Sequence, residues 1–151
     1  MLVVIVLLAG TGTGMLWRYQ QHFALAENAR TAAVEAARTA AVETLSYDFR
    51  SVDRDVEQAR QHLTGKFLEE YSDLAQKTMI PAVKQQKVNT RVDVVAASVV
   101  TAEPDRTVVL LFINQYTQSV GSDAQKTNGS RVRMTMERAG DRWLVSELAP
   151  V

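Results

Sequence analysis

The first 17 residues carry no charged side chain, and this run constrains the fold more than any other feature of the chain. It reads MLVVIVLLAGTGTGMLW, and the first charge is Arg18. As an α-helix rising roughly 1.5 Å per residue, the run spans about 26 Å, close to the ~30 Å hydrocarbon core of a bilayer. The sequence therefore predicts a single transmembrane anchor over residues 1–23.

Side chains at the end of this run suit a membrane–water interface. Trp17 and Tyr19 lie where interfacial aromatic residues are found, and Arg18 reaches the headgroups while its stem stays in apolar surroundings. A cleaved signal peptide is disfavoured, because no basic region precedes the run and no A-x-A pattern follows it. Gly10 and Gly14 share one helical face, a spacing that permits close approach of a second membrane helix, although membrane helices also tolerate glycine without such a contact.

These residues leave the orientation of the anchor open. We expect the native protein to have further residues before Met1, whose positive charges would place the bulk of the chain outside the membrane. Arg18 taken alone slightly favours the opposite orientation.

Composition excludes several classes of function. The chain has no cysteine and only two histidines, which argues against thiolate metal sites, cysteine nucleophiles and multi-histidine centres. Its 17 basic and 17 acidic side chains balance to zero net charge, and no basic run follows the anchor. Nucleic-acid binding normally requires a clustered basic surface. We therefore expect no metal, no cofactor and no nucleic-acid partner.

The next part of the chain has the pattern of helices. Residues 24–45 are rich in Ala, Glu and Arg without Gly or Pro, so the anchor should continue as one helix into the aqueous phase. Ser51 to Leu63 carries an apolar stripe at helical spacing and should end at Gly65. A third helix should begin near Lys66 and bend or break near Ile80 because of Pro81, with helical character resuming to about Gln86.

From Val88 onward the pattern is that of strands. We expect them over Val88–Thr101, Thr107–Tyr116, Arg131–Glu137 and Arg142–Leu148, with Gly121–Ser130 as a mobile hairpin tip. The second strand contains the continuous apolar run VVLLFIN, which predicts an interior strand covered on both faces. Helices followed by hairpin-connected strands predict an α+β domain over residues 46–151, whose curved antiparallel sheet can enclose an apolar cavity.

The order of these segments resembles the Mce-associated membrane proteins. The resemblance rests on the anchor, the Ala/Glu/Arg helix, and the stretches LTGKFLEEYSDL, IPAVKQQKV, VVLLFINQ and DRWLVSELAPV. It implies a single-pass plasma-membrane protein with an extracytoplasmic, cystatin-like (nuclear-transport-factor-like) domain of about three helices and four antiparallel strands. It also implies contact with membrane lipids and with subunits of an Mce-type transporter, the permease or the Mce proteins. No catalytic residues accompany the resemblance.

The leading hypothesis is a non-enzymatic accessory subunit that stabilises or assembles an Mce-type importer of fatty acids or sterols. The alternative is a lipid carrier whose apolar cavity is lined by pliable side chains, for which Met79, Met134, Met136 and Trp143 are the candidates. The same residues are more simply explained as ordinary core residues.

A third hypothesis is an isomerase-like or dehydratase-like enzyme, which needs an acid or base inside a pocket. The strand acids Asp93, Glu137 and Glu147 are more simply explained as partners of nearby arginines. His62 lacks the positioned partners that a general base needs. We therefore expect no catalytic residues.

Overall fold

The computed structural model describes residues 27–122 and 124–151. Within these two ranges, no helix combines the length and the apolar character needed to cross a membrane. The predicted anchor over residues 1–23 lies outside the described residues. So do the predicted helix contact at Gly10 and Gly14 and the interfacial side chains Trp17, Arg18 and Tyr19.

The first described helix, α1, covers residues 27–45. Its buried face is built from alanine, with Ala33, Ala37, Ala40 and Ala41 at most 1% exposed. Because these side chains are small, the helix axis lies close to the sheet beneath it. The alanine-rich sequence therefore serves two purposes, since it favours the helix and permits tight packing.

Three further helices follow: α2 (Val52–Arg60), α3 (Gly65–Leu74) and α4 (Ile80–Gln86). The sequence prediction placed the end of α2 too late and misassigned Gly65. Gly65 adopts φ +58° at the start of α3, a conformation that glycine takes without steric cost.

The helix changes character just before Pro81 and then continues to Gln86, the end that the sequence predicts. A π-helical turn, Ala75–Met79, joins α3 to α4, and Pro81 lies in the first turn of α4. Proline supplies no N–H and crowds the carbonyl four residues earlier, so a wider turn at this point accommodates it. The path ends at Lys87, which has φ 50°.

The sheet has five antiparallel strands in sequential order, one more than predicted. They are β1 (Tyr47–Asp48), β2 (Val88–Ala102), β3 (Arg106–Ser119), β4 (Lys126–Ala139) and β5 (Arg142–Pro150). The two-residue β1 was missed because it is too short to show a period. Gly121–Ser130 is not a mobile tip throughout, since residues 126–130 already pair with β3.

The helices cover one face of this sheet. On the central strand β3, Val109, Leu111 and Ile113 point inward and are at most 4% exposed. The alternate residues point to the opposite face, where Val108 and Leu110 are half-buried and Phe112 is 39% exposed. The prediction that this strand is covered on both faces is therefore wrong for the described part of the chain.

Two apolar clusters hold the layers together. The main cluster joins the α1 alanines to the inward side chains of β2 to β5, and a smaller one joins α2 to α4 around Val52, Val56 and Ile80. His62 and Thr64 exchange backbone hydrogen bonds with Val145, which attaches this loop to the free edge of β5. The α+β class and the curled antiparallel sheet are thus confirmed.

Candidate functional site

The four candidate cavity residues do not meet in one place. Met134 and Met136 are fully buried and Trp143 is 8% exposed, all within the main cluster. Met79 packs instead against the smaller cluster. The clefts described below are lined by other residues.

The candidate catalytic side chains are likewise dispersed. Asp93 forms an ion pair with Arg91 at 3.4 Å, and Glu137 forms one with Arg106 at 3.1 Å, as the sequence predicted. Glu147 has a different partner, the hydroxyl of Thr135, which donates to it at 3.3 Å. Within residues 27–122 and 124–151, no three His, Cys, Asp or Glu side chains are grouped so that they could hold a metal ion.

A polar cleft of about 500 Å³ lies where α1 ends, between β1, the start of α2 and the adjoining ends of β2 and β3. Two of its three acidic side chains, Asp48 and Asp55, are engaged in shaping the chain, whereas the half-buried Glu43 on α1 has no hydrogen-bond or salt-bridge partner among the described residues. The Asp55 carboxylate accepts the backbone N–H of Asp48 and the hydroxyl of Ser51, both at 3.0 Å. Asp48 in turn accepts the backbone N–H of Arg50 at 2.8 Å. These carboxylates hold the β1–α2 turn and are not free to act as a general base.

Tyr71 lies close to this turn. Burial raises the pKa of Tyr71 to about 12, and the negative charge of Asp55 adds to the effect. Its hydroxyl donates to the carbonyl of Thr44 at 3.4 Å. The phenol therefore stays protonated at physiological pH and serves as a packing and hydrogen-bonding group.

The outer face of the sheet, opposite the helices, carries an unusual amount of apolar surface. We call its apolar side chains the outer strip, and it consists of Val95, Val100, Val108, Leu110 and Phe112. Val95 is 62% exposed, Val100 56% and Phe112 39%. The outer face of a one-sided antiparallel sheet is normally polar, so three successive apolar residues at the outward positions of β3 are an exception.

The strand pairing explains why Phe112 is uncovered. Its neighbours across the strands are Ala96 on β2 and Arg131 on β4, and Leu110 lies between Ser98 and Arg133. Small side chains on the β2 side leave the phenyl ring open. A shallow trough of about 360 Å³ runs beside the ring, past Gly129, which has no side chain to fill it.

Two bulges on β2 extend the strip. The β2–β3 register shifts between Val94 and Ala96 and again between Val99 and Thr101. Each shift adds one residue, Val95 or Val100, and both residues are exposed. Bulges redirect side chains in this way and often mark functional surfaces.

Arginines border the strip on its β4 side. Arg131 and Arg133 are exposed, and neither forms a salt bridge with another residue of the described ranges. On the same face, Arg91 is paired with Asp93 and stacks 4.8 Å from the centre of the Tyr116 ring, while Arg106 is paired with Glu137. Positive charge therefore lies unbalanced beside the middle of the strip.

The sequence contained the signal for this surface, but its interpretation was incomplete. VVLLFIN indicates a strand that needs cover on both faces, and the helices of this chain cover only one. What periodicity does not reveal is whether the second cover comes from the same chain or from another molecule.

Comparison of the sequence with known proteins identifies a family and a relative. The sequence profile of the family described as "Uncharacterized protein Rv1363c/MT1408-like" matches residues 1–150. The outer membrane protein Rv1973 of Mycobacterium tuberculosis (strain ATCC 25618 / H37Rv) is 39% identical over 140 residues, or 93% of this chain and 87% of the relative.

Solved structures share the architecture. The periplasmic domain of DotI matches with a TM-score of 0.67 and 17% identity, covering 80% of this chain and 94% of that one. VirB8 of Agrobacterium tumefaciens matches with a TM-score of 0.57 and 11% identity, covering 78% and 91%. Identities this low establish a common fold and nothing more.

The resemblance to the Mce-associated membrane proteins is wrong, because the profile that matches residues 1–150 is that of another family. Its motifs misled for a physical reason. VVLLFINQ and DRWLVSELAPV lie on β3 and β5 and supply inward core side chains, so they report the packing of this fold. Nothing in the matched names refers to Mce transporters or lipid transport. From the profile match and the 39% identical relative, the chain belongs to the Rv1363c/MT1408-like family.

Proposed function

We propose that this protein is a non-enzymatic, membrane-anchored domain of the cell envelope that binds and positions other proteins through the outer face of its sheet. The observation that carries the proposal is the outer strip, with Phe112 at its centre. A folded domain gains no stability from leaving such a surface in water, and contiguous exposed apolar surface is typical of protein interaction sites.

The distribution of polar groups supports a binding role over a catalytic one. In the polar cleft, Asp48 and Asp55 are held by backbone N–H groups and Glu43 has no side-chain partner within the described ranges to activate it, while the strand acids are paired with arginine or threonine. The carrier hypothesis has less support, since Met134 and Met136 are packed in the core. The names of the relatives, an outer membrane protein and a periplasmic domain, also favour a role in the envelope.

The apolar run before Arg18 supports tethering of this domain to a membrane. We place the domain on the extracytoplasmic side, where the DotI domain of the same fold is found. Proteolysis of intact spheroplasts tests this placement. Digestion of the domain without lysis is the expected result, and protection until lysis would contradict it.

The interaction itself is tested by mild-detergent extraction from native membranes, followed by mass spectrometry of what co-purifies. Phe112→Thr should reduce the recovery of specific partner proteins. Leu74→Thr is the matched control, because Leu74 is 59% exposed on α3, away from the sheet. If both variants recover the same proteins as the wild type, the outer strip is not the binding surface. If a defined lipid co-purifies instead of proteins, the carrier hypothesis replaces this one.

A further inference from the structure

The dimensions and charges of the outer strip specify the kind of partner that fits it. This inference rests on the proposed function and adds the chemistry of the bound segment. We propose that the outer strip binds an amphipathic α-helix of another protein, whose apolar stripe lies along β3 and whose flank facing β4 carries acidic side chains.

The width of the strip fits one helix. It runs from the bulge residues of β2 across β3 to the arginines of β4, two strand spacings of roughly 4.8 Å each. This total of about 10 Å matches the diameter of an α-helix with its side chains. A second sheet would need a wider apolar face than one strand and its immediate borders.

The spacing along the strip also fits a helix. The outward residues Val108, Leu110 and Phe112 follow one another every second position, at intervals of about 7 Å along the strand. The three positions span about 14 Å, which a helix with a rise of about 5.4 Å per turn covers in two to three turns, so about three side chains of one apolar stripe can reach the strip. The trough beside Phe112, next to Gly129, gives one of them a recess to enter.

The arginines beside the strip determine the charge expected on the flank of the bound helix that faces β4. Arg131 and Arg133 have no carboxylate partner among the described residues, whereas Arg91 and Arg106 on the same face are paired. Two carboxylates on the bound helix would complement the middle arginines. Such charge complementarity chiefly sets orientation and selects partners.

The described helices of a second copy of this chain do not supply this partner. Across the described helices, the only large apolar side chain that is strongly exposed is the single Leu74, so none presents an apolar stripe. Two strips packed face to face would bring together the same arginines, and of the described strand carboxylates on that face only Glu147 lies outside a salt bridge, where it already accepts from the Thr135 hydroxyl. The charges therefore favour a different protein.

The test places a photo-crosslinking amino acid, p-benzoylphenylalanine, at position 112 of the full chain in its native membrane. Mass spectrometry then identifies the attached peptide. We expect a segment of another protein with helical apolar spacing and acidic residues on one flank. An adduct only to a second copy, only to lipid, or to a segment without acidic residues would overturn the inference.

The second part of the crosslinking experiment reverses the charges of the two arginines beside the strip. Arg131→Glu with Arg133→Glu should lower the yield of the adduct several-fold, while Arg131→Lys with Arg133→Lys should retain most of it. The matched control is Arg54→Glu with Lys126→Glu, which changes the net charge equally at exposed positions away from the strip. All variants are compared at equal thermal stability of the domain.

The outcomes separate the two proposals. A protein adduct that survives charge reversal overturns the acidic helix but leaves the proposed function intact. Absence of any protein adduct at position 112 overturns both.

Discussion

Neighbouring residues on β3 offer a direct comparison of the two faces of the sheet. Leu111 points inward and is fully buried, whereas Phe112 points outward and is 39% exposed. We replace each with threonine, which keeps the preference for a strand while removing the large apolar side chain. The free energy of unfolding should respond very differently to the two changes.

The structure sets the magnitudes. Leu111→Thr removes a core side chain and buries a hydroxyl, and should cost about 2–5 kcal/mol. Phe112→Thr leaves no closed cavity, because water replaces the ring, and since the ring is 39% exposed it should cost only about 1–2 kcal/mol.

The assay is urea unfolding of the full chain carrying Trp17→Phe in detergent micelles, so that the fluorescence reports the buried Trp143 alone. A shift of the midpoint at unchanged slope measures the change in stability. If Phe112→Thr costs as much as Leu111→Thr, the outer face is covered by the chain itself, and the reasoning that assigns it to a partner fails.

Three further predictions concern the interior and the turns. Because the pKa of Tyr71 rises from its ordinary value of 10.0 to about 12 on folding, the stability linked to its protonated form is complete below pH 10 and is lost between pH 10 and about 12. Tyr71→Phe should remove this loss of the free energy of unfolding between pH 10 and about 12. If the variant loses stability over this pH range as the wild type does, the phenol is not buried. Asp55→Ala should cost about 1–3 kcal/mol in urea unfolding, since the backbone N–H of Asp48 loses its acceptor. Asp53→Ala on the same helix breaks an exposed ion pair with Lys84 and removes an acidic side chain from the first turn, so it should cost less than about 1 kcal/mol. Equal costs would contradict the role assigned to Asp55. Gly140→Ala should lower the free energy of unfolding by about 1 kcal/mol in the same urea assay, because Gly140 has φ +63°, although no atom blocks a Cβ there. Gly140→Asn should cost less, and the reverse order would refute the backbone argument.

Much of the fold followed from the periodicity of the chain. The apolar stripe of α2 and the alternation of Val132, Met134 and Met136 predicted buried residues correctly, because one side of each element faces the core. Features without a period escaped prediction. The short strand β1 and the π-helical turn before Pro81 depend on tertiary pairing and on local proline geometry.

The functional surface was only half predicted. The apolar character of VVLLFIN was evident in the sequence, but the bulges that expose Val95 and Val100 are set by pairing with β3. The unpaired state of Arg131 and Arg133 likewise depends on which side chains lie across the strands. Such relations between strands are not encoded in the spacing of any single segment.

The central claim is that another protein covers the outer strip in the native membrane. Because the chain contains no cysteine, Phe112→Cys creates a single thiol, and its rate of labelling by a maleimide reports how accessible that position is. We predict rapid labelling of the purified protein and strong protection in native membranes, while Leu74→Cys reacts rapidly in both. Equal labelling of position 112 in the two preparations would contradict the claim.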